Sequence, residues 1–91
     1  MITSTTRIKI GDNALMQKVS DEMVILDSQS GQYYTLNDMA TEMLEHLQNG
    51  RSIEEVSALI CKEYEVSKAE VNKDLTSMVN TLLEKQLVIS E

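Results

Sequence analysis

Ninety-one residues carrying a net charge of −7 make a single domain around one modest core. No apolar run is long enough to span a bilayer, and the opening Met1-Ile2-Thr3-Ser4-Thr5-Thr6-Arg7 lacks the apolar stretch of a secretory signal. The single cysteine, Cys61, builds no internal disulfide framework, so the expected location is the cytoplasm.

The charge is unevenly spread. Residues 1–20 hold Arg7, Lys9 and Lys18 against Asp12, whereas the remainder holds five basic and fourteen acidic residues. Such a body repels a phosphate backbone, whose binding rests on neutralisation by cations, and attracts a basic partner. Acidity that serves solubility alone gives the same balance. There is no Trp and no Phe; the aromatics are Tyr33, Tyr34 and Tyr64. Six methionines supply adaptable packing, more often as core filler than as binding surface.

Residues 1–13, polar, Thr-rich and closing in Gly11-Asp12-Asn13, are expected as a flexible segment ahead of a domain over 14–91. Runs of β-formers predict strands near 14–19 and 22–27, separated by the break Ser20-Asp21. Asp27-Ser28-Gln29-Ser30-Gly31 is turn chemistry, with Gly31 suited to the left-handed position of a bulged hairpin loop. A third strand over 32–36 puts Tyr34 and Leu36 on one face and Tyr33 and Thr35 on the other.

Asn37 then caps a helix over 38–48, with the stripe Met39, Ala40, Met43, Leu44 and Leu47, and Asn49-Gly50 stops it. Ser52-Ile53-Glu54-Glu55 is a capping box for a helix over 53–64. Ser67-Lys68-Ala69-Glu70 is another, opening a helix over 68–85 with Val71, Leu75, Met78, Val79, Leu82 and Leu83 on its apolar side. Gln86 to Ser90 leans towards β. The fold class is α+β: a three-stranded antiparallel sheet followed by three helices, as in a winged helix-turn-helix. The third strand comes last in the sheet, and its free edge is open to pairing with another chain.

Catalytic chemistry is sparse. Cys61 sits beside Ile60 near the buried side of the second helix and reads as a small core residue, the alternative being a thiolate nucleophile. His46, late in the first helix, favours the negative end of the helix dipole. One His and one Cys make no metal cluster, and the three glycines each close an element rather than cradle a phosphate. The expectation is a protein with no catalytic, cofactor-binding or metal-binding residues. A winged-helix DNA regulator is the architectural alternative. Its recognition helix would be basic, whereas Lys68, Lys73 and Lys85 are balanced here by Glu70, Asp74 and Glu84.

An ordered set of residues resembles a known family. It runs Val24-Ile25-Leu26-Asp27, Gly31, Tyr33-Tyr34-Thr35-Leu36-Asn37, then Ala40, then Gly50, Ser52, Glu54 and Glu55, then Tyr64, Asp74-Leu75 and a closing Leu87-Val88. This is similar to the PqqD-like family, the recognition elements of ribosomally made, post-translationally modified peptides, over about residues 15–89. Met43-Leu44 stands where many relatives place a tryptophan. The resemblance implies a winged-helix, non-catalytic adaptor without a cofactor. It would bind the leader segment of a precursor peptide by strand addition and deliver it to a modifying enzyme or a cysteine protease, without nucleic acid or membrane. The Asp-x-x-x-Gly-x-Tyr-Tyr-x-Leu-Asn run looks more like the stand-alone leader-binding proteins of lasso-peptide pathways; the peptide chaperone of pyrroloquinoline quinone biosynthesis is the alternative.

The residues expected to hold the peptide are Gln32, Tyr33, Tyr34, Thr35 and Leu36 on the third strand and Val71, Asp74, Leu75 and Met78 on the third helix. Other uses stand beside that one. Tyr34 can be half-core and Tyr33 plain strand surface, and Val71, Leu75 and Met78 fall at core spacing. Asp74 is either a solvated charge or the partner of a leader cation.

Overall fold

The structure, a computed structural model, describes residues 2, 3 and 5–90. Eight elements follow in order: β1 (Ile8–Ile10), β2 (Ala14–Val19), β3 (Glu22–Asp27), β4 (Tyr33–Leu36), α1 (Asp38–Gln48), α2 (Ile53–Tyr64), α3 (Lys68–Glu84) and β5 (Val88–Ser90). Strands β2, β3 and β4 form an antiparallel meander with β3 in the middle. The three helices cover one of its faces, which gives the winged-helix arrangement. Among the described residues no helix is long and apolar enough to cross a membrane.

Local chemistry places each boundary. The Ser20-Asp21 loop joins Val19 to its partner Glu22, and Ser20 takes the left-handed backbone that a two-residue hairpin demands, φ 58°. The next hairpin closes with Gly31 N–H donating to Asp27 O at 2.8 Å and Asp27 N–H to Gln32 O at 2.9 Å. Gly31 has φ 75°, which a side chain would strain. Asn37 Oδ1 accepts from Ala40 N–H at 2.9 Å and starts α1. At α2 the reciprocal box is complete, with Ser52 N–H on Glu55 Oε1 at 2.8 Å and Glu55 N–H on Ser52 Oγ at 3.3 Å. At α3 only half of the expected box is made: Glu70 N–H reaches Ser67 Oγ, and among the described residues no return bond is present. Helix α3 ends one residue earlier than expected, at Glu84. Gln86 N–H donates to Leu83 O and Leu87 N–H to Leu82 O, a Schellman turn with Gln86 at φ 59°.

The core is one cluster drawn from every layer. Met23 and Ile25 of β3 meet Met43, Leu44 and Leu47 of α1, Val56 and Ile60 of α2, and Val71, Leu75, Val79 and Leu82 of α3. Cys61 is half-buried against this cluster, as expected of a packing residue.

The N-terminal segment departs from the expectation for residues 1–13. Ile8–Ile10 is a strand, paired antiparallel with β5 so that Ile8 faces Ser90 and Ile10 faces Val88. Ile8 is 2% exposed and belongs to the core. Three residues alternating apolar, basic, apolar are too short to register as a strand by periodicity; the partner that forms it lies at the far end of the chain. The β-leaning tail thus has a definite mate. Met1, Ser4 and Glu91, which belong to the expected flexible segment and to the end of the expected domain, lie outside the described residues.

Candidate functional site

The β3–β4 register pairs Met23 with Leu36, Val24 with Thr35, Ile25 with Tyr34 and Leu26 with Tyr33. The bond from Asp27 N–H to Gln32 O shows which pairs face the ladder. In an antiparallel pair these alternate, so Gln32, Tyr34 and Leu36 turn their backbone groups to β3. Tyr33 and Thr35 turn theirs outward. Strand β4 has no neighbour on that side among the described residues, so these two residues present their N–H and C=O groups to whatever lies alongside.

Side chains follow the complementary alternation. Tyr34 and Leu36 lean inward against the core, while Tyr33 stands on the outer face at 67% exposure. Across that outer face Tyr33 continues a row through Leu26 to Leu15, itself 59% exposed. Tyr34 Oη donates to Gln32 Oε1 at 2.9 Å, and Lys85 Nζ lies 4.7 Å from the Tyr34 ring centroid, a cation–π contact.

Beside the open edge runs a groove of about 400 Å³. One wall is Tyr34, Thr35, Leu36, Asn37 and Ala40; the other is Asp74, Ser77, Met78, Thr81 and Leu82 of α3. The α3 residues recur at helical spacing as one stripe, and Lys85 extends it by a further turn. Leu36, Ala40, Met78 and Leu82 make the middle apolar.

Most of the expected residues meet here. Tyr34, Thr35, Leu36, Asp74 and Met78 line the groove, and Tyr33 supplies edge backbone but an outward side chain. Gln32 precedes β4 and anchors Tyr34. Val71 and Leu75 are absent from the groove walls and belong to the interior, where they set the position of α3. Asn37, Ala40, Ser77, Thr81, Leu82 and Lys85 were not anticipated. The signal for Ser77, Thr81 and Lys85 was present in their spacing from Asp74, on the flank of the apolar stripe.

Away from the groove, the shifted carboxyls sit in local hydrogen-bond arrangements. The Ser52 hydrogen bonds, with Arg7 and Arg51 nearby, hold the Glu55 carboxyl below its ordinary range. Burial pushes Glu42 up; the Tyr64 hydroxyl, donating to Glu42 Oε1 at 3.1 Å, opposes this and the neighbouring Glu63 adds to it. His46 lies in the last turn of α1, its Nδ1 3.4 Å from Arg51 Nη1. Among the described residues no group of three or more His, Cys, Asp or Glu side chains could hold a metal ion.

The family model described as Coenzyme PQQ synthesis protein D (PqqD) matches residues 22–88, from the second strand of the sheet to the start of β5. The chain belongs to the PqqD family. Among solved structures, this PqqD-family chain is similar to "TbiB1 in Complex with the TbiA(beta) Leader Peptide", with 32% identity and a TM-score of 0.80 over 88% of this chain and 93% of that one. It is also similar to "Lasso peptide synthetase B1 complexed with the leader peptide", with 28% identity and a TM-score of 0.84 over 91% of this chain and 98% of that one. No curated protein matches the chain.

Proposed function

We propose that this PqqD-family protein is a non-catalytic adaptor of lasso-peptide biosynthesis. It takes the leader segment of a precursor peptide as an added strand on β4 and delivers it to a separate leader protease of the cysteine class or to another modifying enzyme. The observation that carries this reading is the open edge at Tyr33 and Thr35 beside an apolar-centred groove. Strand addition uses such an edge for affinity and the adjoining side chains for selectivity. Its similarity over nearly full length to two proteins solved with a leader peptide, one of them a lasso peptide synthetase B1, supports the pathway. The recognition unit is residues 14–91, with β1 completing its core.

The backbone geometry supplies a test that leaves the side-chain pocket in place. Thr35→Pro removes an N–H that points out of the sheet, so the β3–β4 ladder loses nothing, and proline is tolerated on an edge strand facing that way. Leader binding measured by calorimetry should fall at least tenfold while the circular dichroism spectrum is kept. Undiminished binding by the folded variant excludes strand addition at β4.

The family's own description favours a second reading, a peptide chaperone of pyrroloquinoline quinone biosynthesis. It uses the same groove, and titration with a lasso-type leader and with the quinone-pathway precursor separates the two. Neither reading involves duplex DNA, since Lys68, Lys73 and Lys85 along α3 and its cap are balanced in number by Glu70, Asp74 and Glu84 and the chain is net acidic.

A further inference from the structure

The groove is electrically polar along its length, and this fixes the sequence that suits it. Asp74 and Lys85 stand on one face of α3, eleven residues or about 16 Å apart at 1.5 Å per residue. Both are exposed, and among the described residues neither forms a salt bridge. Lys85 sits over Tyr34, near the start of β4, while Asp74 belongs to the same groove as Asn37, just past the strand's end. The start of β4 therefore lies by the cation. Tyr34 holds that cation in place, with its own hydroxyl fixed by Gln32.

An added strand pairs more stably antiparallel than parallel. Antiparallel to β4, it enters at the Asn37 end beside Asp74 and leaves at the Tyr34 end beside Lys85. Sixteen ångströms correspond to about five strand residues at roughly 3.4 Å each. Both ends must face the groove, and side chains alternate, so an even spacing is required and four is the nearest. Resting on the leader-binding reading above, we infer that the bound segment carries a Lys or Arg and, four residues later, an Asp or Glu, with an apolar residue midway that enters between Leu36, Met78 and Leu82. The charges select direction and register, which backbone pairing alone leaves open.

The test is display selection of random twelve-residue peptides on the intact protein at low salt, followed by calorimetry on a selected peptide and its charge-exchanged twin. The expected consensus is cation–x–apolar–x–anion. Exchanging the two charges should weaken binding roughly five- to twenty-fold, given the two- to five-fold typical of one exposed ion pair, and added salt should shrink the difference. The double variant D74K/K85E, whose positions are exposed and outside the core, should reverse the preference. Amide exchange at Tyr33 and Thr35 separates two failures. Selected peptides that protect those amides yet show no charge order, or show it reversed, overturn the charge register and leave strand addition standing. Peptides that protect neither amide overturn both.

Discussion

The Thr41 hydroxyl donates to the backbone carbonyl of Leu36 across 3.2 Å. The same oxygen accepts from Met23 N–H at 2.9 Å. A side chain from the first turn of α1 is therefore inserted at the last rung of the β3–β4 ladder, in a position 1% exposed. It fixes where the strand stops and the helix begins, and hence how the open edge is presented.

Thr41→Val keeps the shape and removes both bonds, leaving a covered N–H and C=O without a partner. The expected loss is about 1–3 kcal/mol, read as a lower denaturant midpoint at unchanged slope. Thr41→Ser should recover most of it. A valine variant as stable as the parent shows that the rung closes without the hydroxyl.

The close approach at Gly11 explains how the N-terminal strand docks. Gly11 N–H donates to Leu87 O at 2.9 Å, and a Cβ there would lie 2.6 Å from Gln86 O. Both obstructing atoms are backbone in the turn that ends α3, so they have little freedom to yield. Gly11→Ala should cost about 1–3 kcal/mol by overpacking, and Ile8→Ala about 2–5 kcal/mol through the cavity it leaves. Wild-type stability in both variants would falsify the docking of β1 into the core.

Much of this molecule can be read from the chain, and the gaps have physical causes. The caps at Asn37, Ser52 and Ser67 and the turn glycine Gly31 act within a few residues, so the helices and the β3–β4 hairpin follow from local chemistry. Strand β1 depends on Val88–Ser90 at the opposite end of the chain and carries too little local pattern to stand out. At the site, Asp74 and Met78 are legible as the margin of an apolar stripe, yet periodicity does not say where margin becomes interior. Val71 and Leu75 share that stripe and face inward, whereas Ser77 and Thr81 look like ordinary helix surface until β4 is placed beside them.

Glu42 gives a prediction whose sign depends on pH. Its Oε2 is covered and has no partner among the described residues, and burial raises its folded pKa above the unfolded value of about 4.3. A raised pKa stabilises the fold fully below the unfolded value, and that contribution is lost as pH rises through the folded one. Glu42→Gln keeps an acceptor for Tyr64 and carries no charge to bury. It should be more stable than the parent at pH 7, and the advantage should vanish below about pH 4. Glu22→Gln, at an exposed site, controls for net charge. Equal pH profiles for the two variants would show that the Glu42 environment is not the cause.

Met78 separates the groove from the core beneath it. It is half-buried on the groove wall, whereas Leu75, one turn earlier, is fully enclosed. A carboxylate at position 78 can reach water along the open side, so Met78→Glu should fold. It places charge where the apolar residue of a bound leader enters, and a central interface position of this kind costs about 2 kcal/mol or more, at least a thirtyfold loss of affinity. Leu75→Asp buries a charge and should instead unfold the domain. Tyr33→Ala trims a side chain on the opposite face of the sheet and leaves its backbone edge intact, so leader affinity should stay within about threefold, as for a peripheral contact. Calorimetry on the folded variants, each checked by circular dichroism, decides the matter. Full affinity in Met78→Glu places the leader elsewhere, and a large loss in Tyr33→Ala moves the side-chain contacts to the outer face of the sheet.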